Sequence, residues 1–343
     1  MKRKDFLRWL GIGGAGTLGA VTLNKVLESG DPSQFEICSS ISSFAVGGAS
    51  QNRQARIGGG RFYGSMVHPP SFIKEGFLSR FEFSKNNPAT ESASKNKSFE
   101  FHIEEIPITI AHETTANAWA FNGQAPGPVI RCTLGDNLTI RFRNTATDLH
   151  SMHFHGSHDP AQDGWEPVEP GGEALYKINA NPIGFHPYHC HVPPISKHLS
   201  KGLYGAMIVD PPRGRPPAHE FLLMLSGWDL KNRGKNDIYT WNGIAGYYDR
   251  FPIKVPVGEK VRFYIMNLLE YESPMTFHLH GQTFDIFRTG TKLTPTDHSD
   301  VVTLGQTERA ILEFILPKRG RYMFHPHQSH MAEAGAMGWI VAV

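Results

Sequence analysis

From Ser98 onward the apolar positions of this chain come in short runs that alternate with polar ones. In Phe99-Glu-Phe-His-Ile103 and Leu138-Thr-Ile-Arg-Phe142 every second residue is apolar, and Gly, Pro and Asn break the runs. A period of two is the mark of a half-buried β-strand. No long amphipathic helix is evident. The pattern predicts an all-β chain built as sandwiches. Before Ser98 the pattern fades. Gly47-Gly48, Gly58-Gly59-Gly60 and the Asn/Ser/Lys run from Lys85 to Lys97 read as linker. Residues 31–97 are therefore expected to form a poorly patterned arm of low order, part of it packed on a neighbour.

The β-region repeats itself. Phe121-Asn-Gly123 answers Trp241-Asn-Gly243, and Gly135-Asp-Asn-Leu-Thr-Ile-Arg-Phe-Arg-Asn144 answers Gly258-Glu-Lys-Val-Arg-Phe-Tyr-Ile-Met-Asn267. Met152-His-Phe-His-Gly156 answers Phe277-His-Leu-His-Gly281, and Gly184-Phe-His-Pro-Tyr-His-Cys-His191 answers Gly320-Arg-Tyr-Met-Phe-His-Pro-His327. Two related β-domains are expected, 98–212 and 213–343, joined through the proline-rich Pro211 to Pro217. A length of 343 residues fits two domains.

Composition narrows the function. The net charge of +2 is near neutral and gives no sign of a nucleic-acid partner. Three cysteines are too few for a disulfide framework. Cys38 and Cys132 read either as a pair in an oxidising compartment or as two buried thiols. At the N-terminus, Lys2-Arg3-Lys4-Asp5-Phe6-Leu7-Arg8 precedes an apolar, Gly-rich run to about Leu23. Residues 1–30 therefore read as an export signal or an N-terminal anchor. The segment resembles a twin-arginine signal, with Arg3-Lys4 where two arginines are usual, and implies a periplasmic or extracellular protein.

The 18 histidines carry the chemistry. Eight of them form four H-x-H pairs: His153 and His155, His189 and His191, His278 and His280, His325 and His327. Neutral imidazole is the commonest ligand for Zn, Cu, Fe and Ni. On a strand, the two imidazoles of a pair aim to one side and the residue between them to the other. Cys190, between His189 and His191, would thus put its thiolate on the opposite side. A blue-copper site needs two His, one Cys and a weak axial ligand. His198, eight residues on in a proline-rich loop, and His150, three residues before His153, are candidates beside Cys190. Leu203 falls at the axial place and offers no metal-binding atom. In the second half Pro326 replaces the cysteine and Met275 replaces His150, so that half keeps four imidazoles and no blue site.

The repeat resembles the cupredoxin domain, and the four motifs are similar to those of multicopper oxidases. The resemblance spans about 98–343 and implies two cupredoxin-like Greek-key β-sandwich domains. It implies four coppers per chain. His150, Cys190 and His198 would hold type 1 copper, with Leu203 axial. His153 and His278 would hold type 2 copper. His155, His189, His191, His280, His325 and His327 would hold the type 3 pair. Asp163, in Gln162-Asp-Gly-Trp165, is similar to the family's proton-delivering acid, or is simply the turn residue before Gly164. The resemblance is to two-domain, laccase-like members with type 1 copper in the N-terminal domain. It implies a homotrimer whose interfaces complete the cluster, a reductant oxidised near the solvent-facing edge of His198, and O2 as acceptor.

Three other readings stand beside this one. Copper nitrite reductases share the two-domain trimer, but their type 2 copper has three histidines and a carboxylate stands at the place of His153. A copper-storage protein would carry Met-rich or His-rich tracts, whereas the 10 methionines here are scattered. A metal-ion oxidase would need carboxylates or methionines near the type 1 histidines; Asp159, Glu166 and Glu169 are candidates, though they also read as solvated loop charges. Of the remaining histidines, His158, His186 and His330 lie close to ligands in sequence and are candidate supporting donors.

Overall fold

The computed structural model describes residues 64–83 and 94–343. The segment expected as an export signal or anchor, 1–30, and the arm up to residue 63 lie outside the described residues, as does Cys38. No described helix is long and apolar enough to cross a membrane.

After the two-residue β1 (Glu82–Phe83), the first sandwich is built from β2 (Asn96–Ala111), β3 (Thr114–Phe121), β4 (Ile130–Thr133), β5 (Asn137–Asn144), β6 (His153–Phe154), β7 (Glu173–Asn179), β8 (Gly184–His189) and β9 (Tyr204–Asp210). A short helix α1 (Ile195–Ser200) sits between β8 and β9. One sheet runs β3-β2-β5-β7 and the other β4-β9-β8-β6. Both sheets contain a parallel pair of strands distant in sequence, β2 with β5 and β4 with β9, which gives the crossovers of a Greek key.

The second sandwich comprises β10 (His219–Trp228), β11 (Ile238–Trp241), α2 (Tyr247–Arg250), β12 (Ile253–Val255), β13 (Lys260–Asn267), β14 (Met275–Leu279), β15 (Phe284–Arg288), β16 (Asp297–Ser299), β17 (Val301–Leu304), β18 (Arg309–Ile315), β19 (Gly320–Pro326), α3 (Ser329–Glu333) and β20 (Gly338–Ala342). Its sheets run β1-β10-β13-β18-β15-β16, with β11 beside β10, and β12-β20-β19-β14-β17. The parallel pairs recur as β10 with β13 and β12 with β20. The repeat in sequence is therefore a repeat in topology.

Strand β5 shows why the alternation was visible. Leu138, Ile140 and Phe142 are buried, while Arg141 and Arg143 face water. Strands β8, β9, β10 and β13 are buried almost throughout. Here the two sandwiches abut. Tyr204, Ala206 and Ile208 of β9 pack into the core of the second domain with Leu222, Met224 and Tyr264. The intervening Met207 and Val209 fill the core of the first. Each fully buried large apolar side chain contributes about 1.5–3 kcal/mol.

A buried ion network crosses the same boundary. Arg131 donates from Nε to Asp210 at 2.7 Å and from Nη1 to Glu220 at 2.7 Å. Arg262 meets Glu220 at 2.5 Å and Glu313 at 2.7 Å, and the Tyr264 hydroxyl donates to Glu220 at 2.9 Å. Every charge in it faces an opposite one, the condition under which burial is tolerated.

Residues 64–83, read from sequence as part of a poorly patterned arm, are ordered against the second domain. Ile73, Leu78 and Phe81 are buried in its core, and β1 pairs antiparallel with β10. Their irregular spacing follows no strand or helix period, so the pattern did not reveal them. Cys132 is a buried free thiol whose Sγ donates to the Ile208 carbonyl at 3.6 Å.

Candidate metal centres

Cys190 follows directly on the last residue of β8 and is fully buried. Its Sγ lies 3.2 Å from His198 Nδ1 and 3.7 Å from His150 Nδ1, and those two nitrogens are 3.2 Å apart. Three elements bring them together. A two-way backbone bridge to Val168 fixes His150. His198 rides on α1. The Cys190 amide donates to the Leu203 carbonyl at 3.1 Å, and the Leu203 amide to the His198 carbonyl at 3.2 Å.

The donor set fits a soft metal. Burial pushes His150 down to about 4 and His198 to about 3, so both rings are neutral with lone pairs to give. Burial pushes the Cys190 thiol up, against backbone donors that include the Ser151 amide at 3.4 Å. A bound cation is what would favour the thiolate there. The second ring nitrogen of His150 is buried without a hydrogen-bond partner. Leu203 is fully buried in the same apolar cluster as Cys190 and brings no donor atom.

The H-x-H histidines form two quartets. In the first domain His153 stands opposite His189 across the β6–β8 ladder. In the second, His278 stands opposite His325 across β14–β19. His153, His155, His189 and His191 contact one another with ring centroids 4.9–5.9 Å apart. His278, His280, His325 and His327 do so at 4.8–5.8 Å. Nε2 faces Nε2 between His155 and His189 at 3.2 Å, and between His280 and His325 at 2.9 Å.

Backbone carbonyls orient these rings. Nδ1 of His153, His189, His278 and His325 lies 2.8–2.9 Å from the carbonyls of Asp163, Cys190, Asp300 and Pro326. A ring nitrogen facing a carbonyl must carry the proton, which leaves the Nε2 lone pair free for a metal. Burial, then repulsion from neighbouring rings, holds His155 at about 3; burial likewise pushes His189 to about 4 and lowers His153, His280 and His325. Among the described residues no ring of one quartet contacts a ring of the other. His280 and His327 are exposed.

Two multicopper oxidase family models match the chain, one over residues 102–214 and the other over 216–343. The chain belongs to the multicopper oxidase family. Copper-containing nitrite reductase from Neisseria meningitidis serogroup B is 28% identical over 265 residues, covering 68% of this chain and 65% of the relative. The chain thus spans just under two thirds of that curated relative's length. A solved multicopper oxidase is 37% identical with a TM-score of 0.71, covering 72% of this chain and 89% of that one. The blue copper oxidase from Nitrosomonas europaea is 28% identical with a TM-score of 0.65, covering 72% and 86%. This two-domain multicopper oxidase has cupredoxin-like sandwiches.

Asp163 ends a 3-10 turn (Pro160–Gln162) whose Ala161 amide donates to the Asp159 side chain at 2.9 Å. Its carboxylate lies 3.4 Å from His153 Nδ1 and 3.6 Å from His158 Nε2. With His155 and Trp165 these residues line a cleft of about 600 Å³. His158 therefore does stand beside the first quartet. His186 instead binds the Pro182 carbonyl and Arg309, and His330 binds Glu272, so neither is hydrogen-bonded to an H-x-H ring.

One expectation for this multicopper oxidase is corrected. His198 has no solvent-facing edge. It is 3% exposed, His150 is fully buried, and the Trp119 indole covers both at centroid distances of 4.7 and 4.9 Å. Lys197 and Lys201 in turn hold their ammonium groups over that indole, 4.7 and 5.2 Å from its centroid. Sequence reasoning missed all three, because Trp119 reaches the site from a distant strand with no motif around it.

Proposed function

We propose that this chain is an oxidase that couples one-electron oxidation of a reductant to the four-electron reduction of O2 to water. His150, Cys190 and His198 would hold type 1 copper, with Leu203 at an axial position that offers no ligand. His153 and His278 would hold type 2 copper, and His155, His189, His191, His280, His325 and His327 the type 3 pair. Copper bound in these places supplies the redox chemistry, taking electrons singly at the cysteine site and delivering them to O2 at the histidine cluster.

The observation that carries this reading is the pair of histidine quartets. In each, two histidines face each other across a strand pair and turn Nδ1 to a backbone carbonyl, which leaves their Nε2 for a metal, and the two quartets make no contact with each other within the chain. Two half-sites that do not meet in one chain favour completion by a second copy. We therefore propose a homotrimer in which the first domain of one copy meets the second domain of the next. His189 donates its Nδ1 proton to the carbonyl of Cys190, so one residue links the cysteine site to the cluster. Asp163 would hold a proton beside His153, and its partly exposed carboxylate opens on a cleft that water can fill. The expected export remains part of the proposal, since O2 and reductant would then be met outside the cytoplasm.

Nitrite reduction is a second reading, favoured by the 28% identity to a copper-containing nitrite reductase. Against it stand His153 and His191, two imidazoles more than a lone type 2 copper calls for. Copper per chain and electron paramagnetic resonance on copper-loaded protein separate the two. Four coppers per chain, with one type 1 and one type 2 signal and two silent ions, would support the oxidase. Two coppers, both visible, would overturn it in favour of nitrite. Chelation is expected to loosen the trimer, and a copper-free trimer as stable as the loaded one would count against a shared cluster.

A further inference from the structure

A cleft of about 690 Å³ opens where the first domain's Trp119 and α1 face loops of the second domain that carry Asp229 and Tyr271. Trp119 is buried to 5% exposure and separates the cleft from His150 and His198, neither of which lines it. The indole is therefore the aromatic group between the cleft and those two histidines, beside the α1 backbone that carries His198.

The charges of the cleft are unevenly committed. Asp229 already accepts the amides of Arg233 and Gly234 at 2.9 and 2.7 Å. Glu105 already accepts the amide and hydroxyl of Thr147 at 2.9 and 2.7 Å. The two ammonium groups are poorly matched by comparison. Lys197 has Asp148 at 3.7 Å and Lys201 has the Asn117 carbonyl at 3.5 Å. An ammonium has three donors to satisfy. The ammonium groups are thus the less fully engaged charges of the cleft, and they lie over the indole.

Taken with the copper reading of His150, Cys190 and His198, on which it rests, the geometry points to this cleft as the docking site of a small organic anion that acts as reductant. Lys197 and Lys201 hold its carboxylate, sulfonate or phenolate, and Trp119 is the relay between it and the two histidines. With copper held by His150, Cys190 and His198, the docked anion would give up one electron and the metal would gain it, Cu(II) becoming Cu(I). The oxidised donor leaves, and any proton it releases passes to water at the cleft mouth. Metal cations are disfavoured as reductants. The two carboxylates that line the cleft, Glu105 and Asp229, are engaged by Thr147, Arg233 and Gly234, two ammonium groups repel cations, no methionine lines the cleft, and Asp159, Glu166 and Glu169 lie elsewhere.

Naphthalene-2-sulfonate, which is redox-inert, tests the docking by titration calorimetry on the copper-loaded protein, against a naphthyl-trimethylammonium of similar size. The sulfonate is expected to bind and the cation not to, and Lys197→Gln with Lys201→Gln to weaken the sulfonate at least about tenfold, as loss of a charge-assisted hydrogen bond predicts. Equal binding of the two probes, or wild-type affinity in the lysine variant, would overturn the site. Trp119→Leu tests the relay by anaerobic stopped-flow bleaching of the blue band with ascorbate. A slowing of at least about tenfold with an unchanged type 1 spectrum is expected, and Trp119→Phe should recover part of the rate with its own spectrum unchanged. Wild-type bleaching in Trp119→Leu, or no difference between the Leu and Phe variants, would remove the relay. Neither measurement needs O2 or the histidine quartets, so both stand if the oxygen chemistry fails. Absence of any blue band would instead sink the copper reading itself, while the sulfonate titration still judges the cleft.

Discussion

Cys190 and Leu203 are joined backbone to backbone, the cysteine amide donating to the leucine carbonyl at 3.1 Å, and both side chains are fully buried in one apolar cluster. Under the proposed copper reading, Leu203 keeps the fourth position of the site apolar. Leu203→Met conserves volume and is expected to cost less than about 1.5 kcal/mol of stability. It brings a thioether to the position that tunes a blue site's potential, so the potential should fall. Redox titration of the blue absorbance measures this. An unchanged potential in a well-folded variant would remove Leu203 from the axial role.

Asp163 and Gly164 should fail together for different reasons. Asp163→Asn keeps the turn but removes the carboxylate proposed to pass protons near His153. O2 consumption is expected to fall by about 10²-fold while anaerobic bleaching of the blue band is unaffected. Gly164 has φ +74°, and a Cβ there would sit 1.7 Å from the Met152 carbonyl oxygen. Gly164→Ala should therefore cost about 1–3 kcal/mol and push the Asp163 turn off His153. Full O2 turnover in Asp163→Asn would leave Asp163 as a turn residue only.

What sequence reveals here follows from what is local. Leu138, Ile140 and Phe142 advertised their strand because its other face meets water. Strands β10 and β13 did not, because the neighbouring sandwich buries both faces. The quartets were legible because each H-x-H pair fixes its own geometry within three residues, and the repeat predicts the partner pair. The covering of His198 was not legible. The segment read as a loop carries His198 on α1, its exposure depends on what folds over it, and Trp119 arrives from β3. Ile73, Leu78 and Phe81 were missed for a related reason: they bind the second domain's core without any period of their own.

Glu220 ties the two domains, and its pH dependence can be signed. Burial alone would raise its carboxyl, but Arg131 and Arg262 more than offset this and hold it below the ordinary glutamate range. A carboxyl lowered on folding stabilises the protein above its unfolded value, about 4.3, and that contribution is lost as pH falls through the folded value. Asp210 runs the other way, since burial pushes it up despite Arg131. Its contribution is unfavourable once pH rises past its unfolded value. Glu220→Gln removes the carboxylate shared by two buried guanidinium groups, leaving Arg131 with Asp210 and Arg262 with Glu313, and is expected to cost about 1.5–3 kcal/mol near neutrality. Urea midpoints at about pH 7 and about pH 3 should show the gap between wild type and variant narrowing in acid. A gap of constant size would mean that the charge of Glu220 does not matter to the domain junction.

The strongest test of a cluster shared between copies uses two disabled chains. His153→Ala with His189→Ala removes the facing pair of the first quartet, and His278→Ala with His325→Ala that of the second. Each variant keeps His150, Cys190 and His198, so each should still show the blue band while consuming no O2. In a trimer whose interfaces join the first domain of one copy to the second domain of the next, about a quarter of the interfaces in an even mixture combine two intact quartets. Co-expression should therefore restore O2 consumption to about a quarter of wild type per chain. A cluster assembled within one chain has no such route, because every chain in the mixture lacks one half. A co-expressed mixture as inactive as its parents, with trimers intact, would place each cluster inside a single copy.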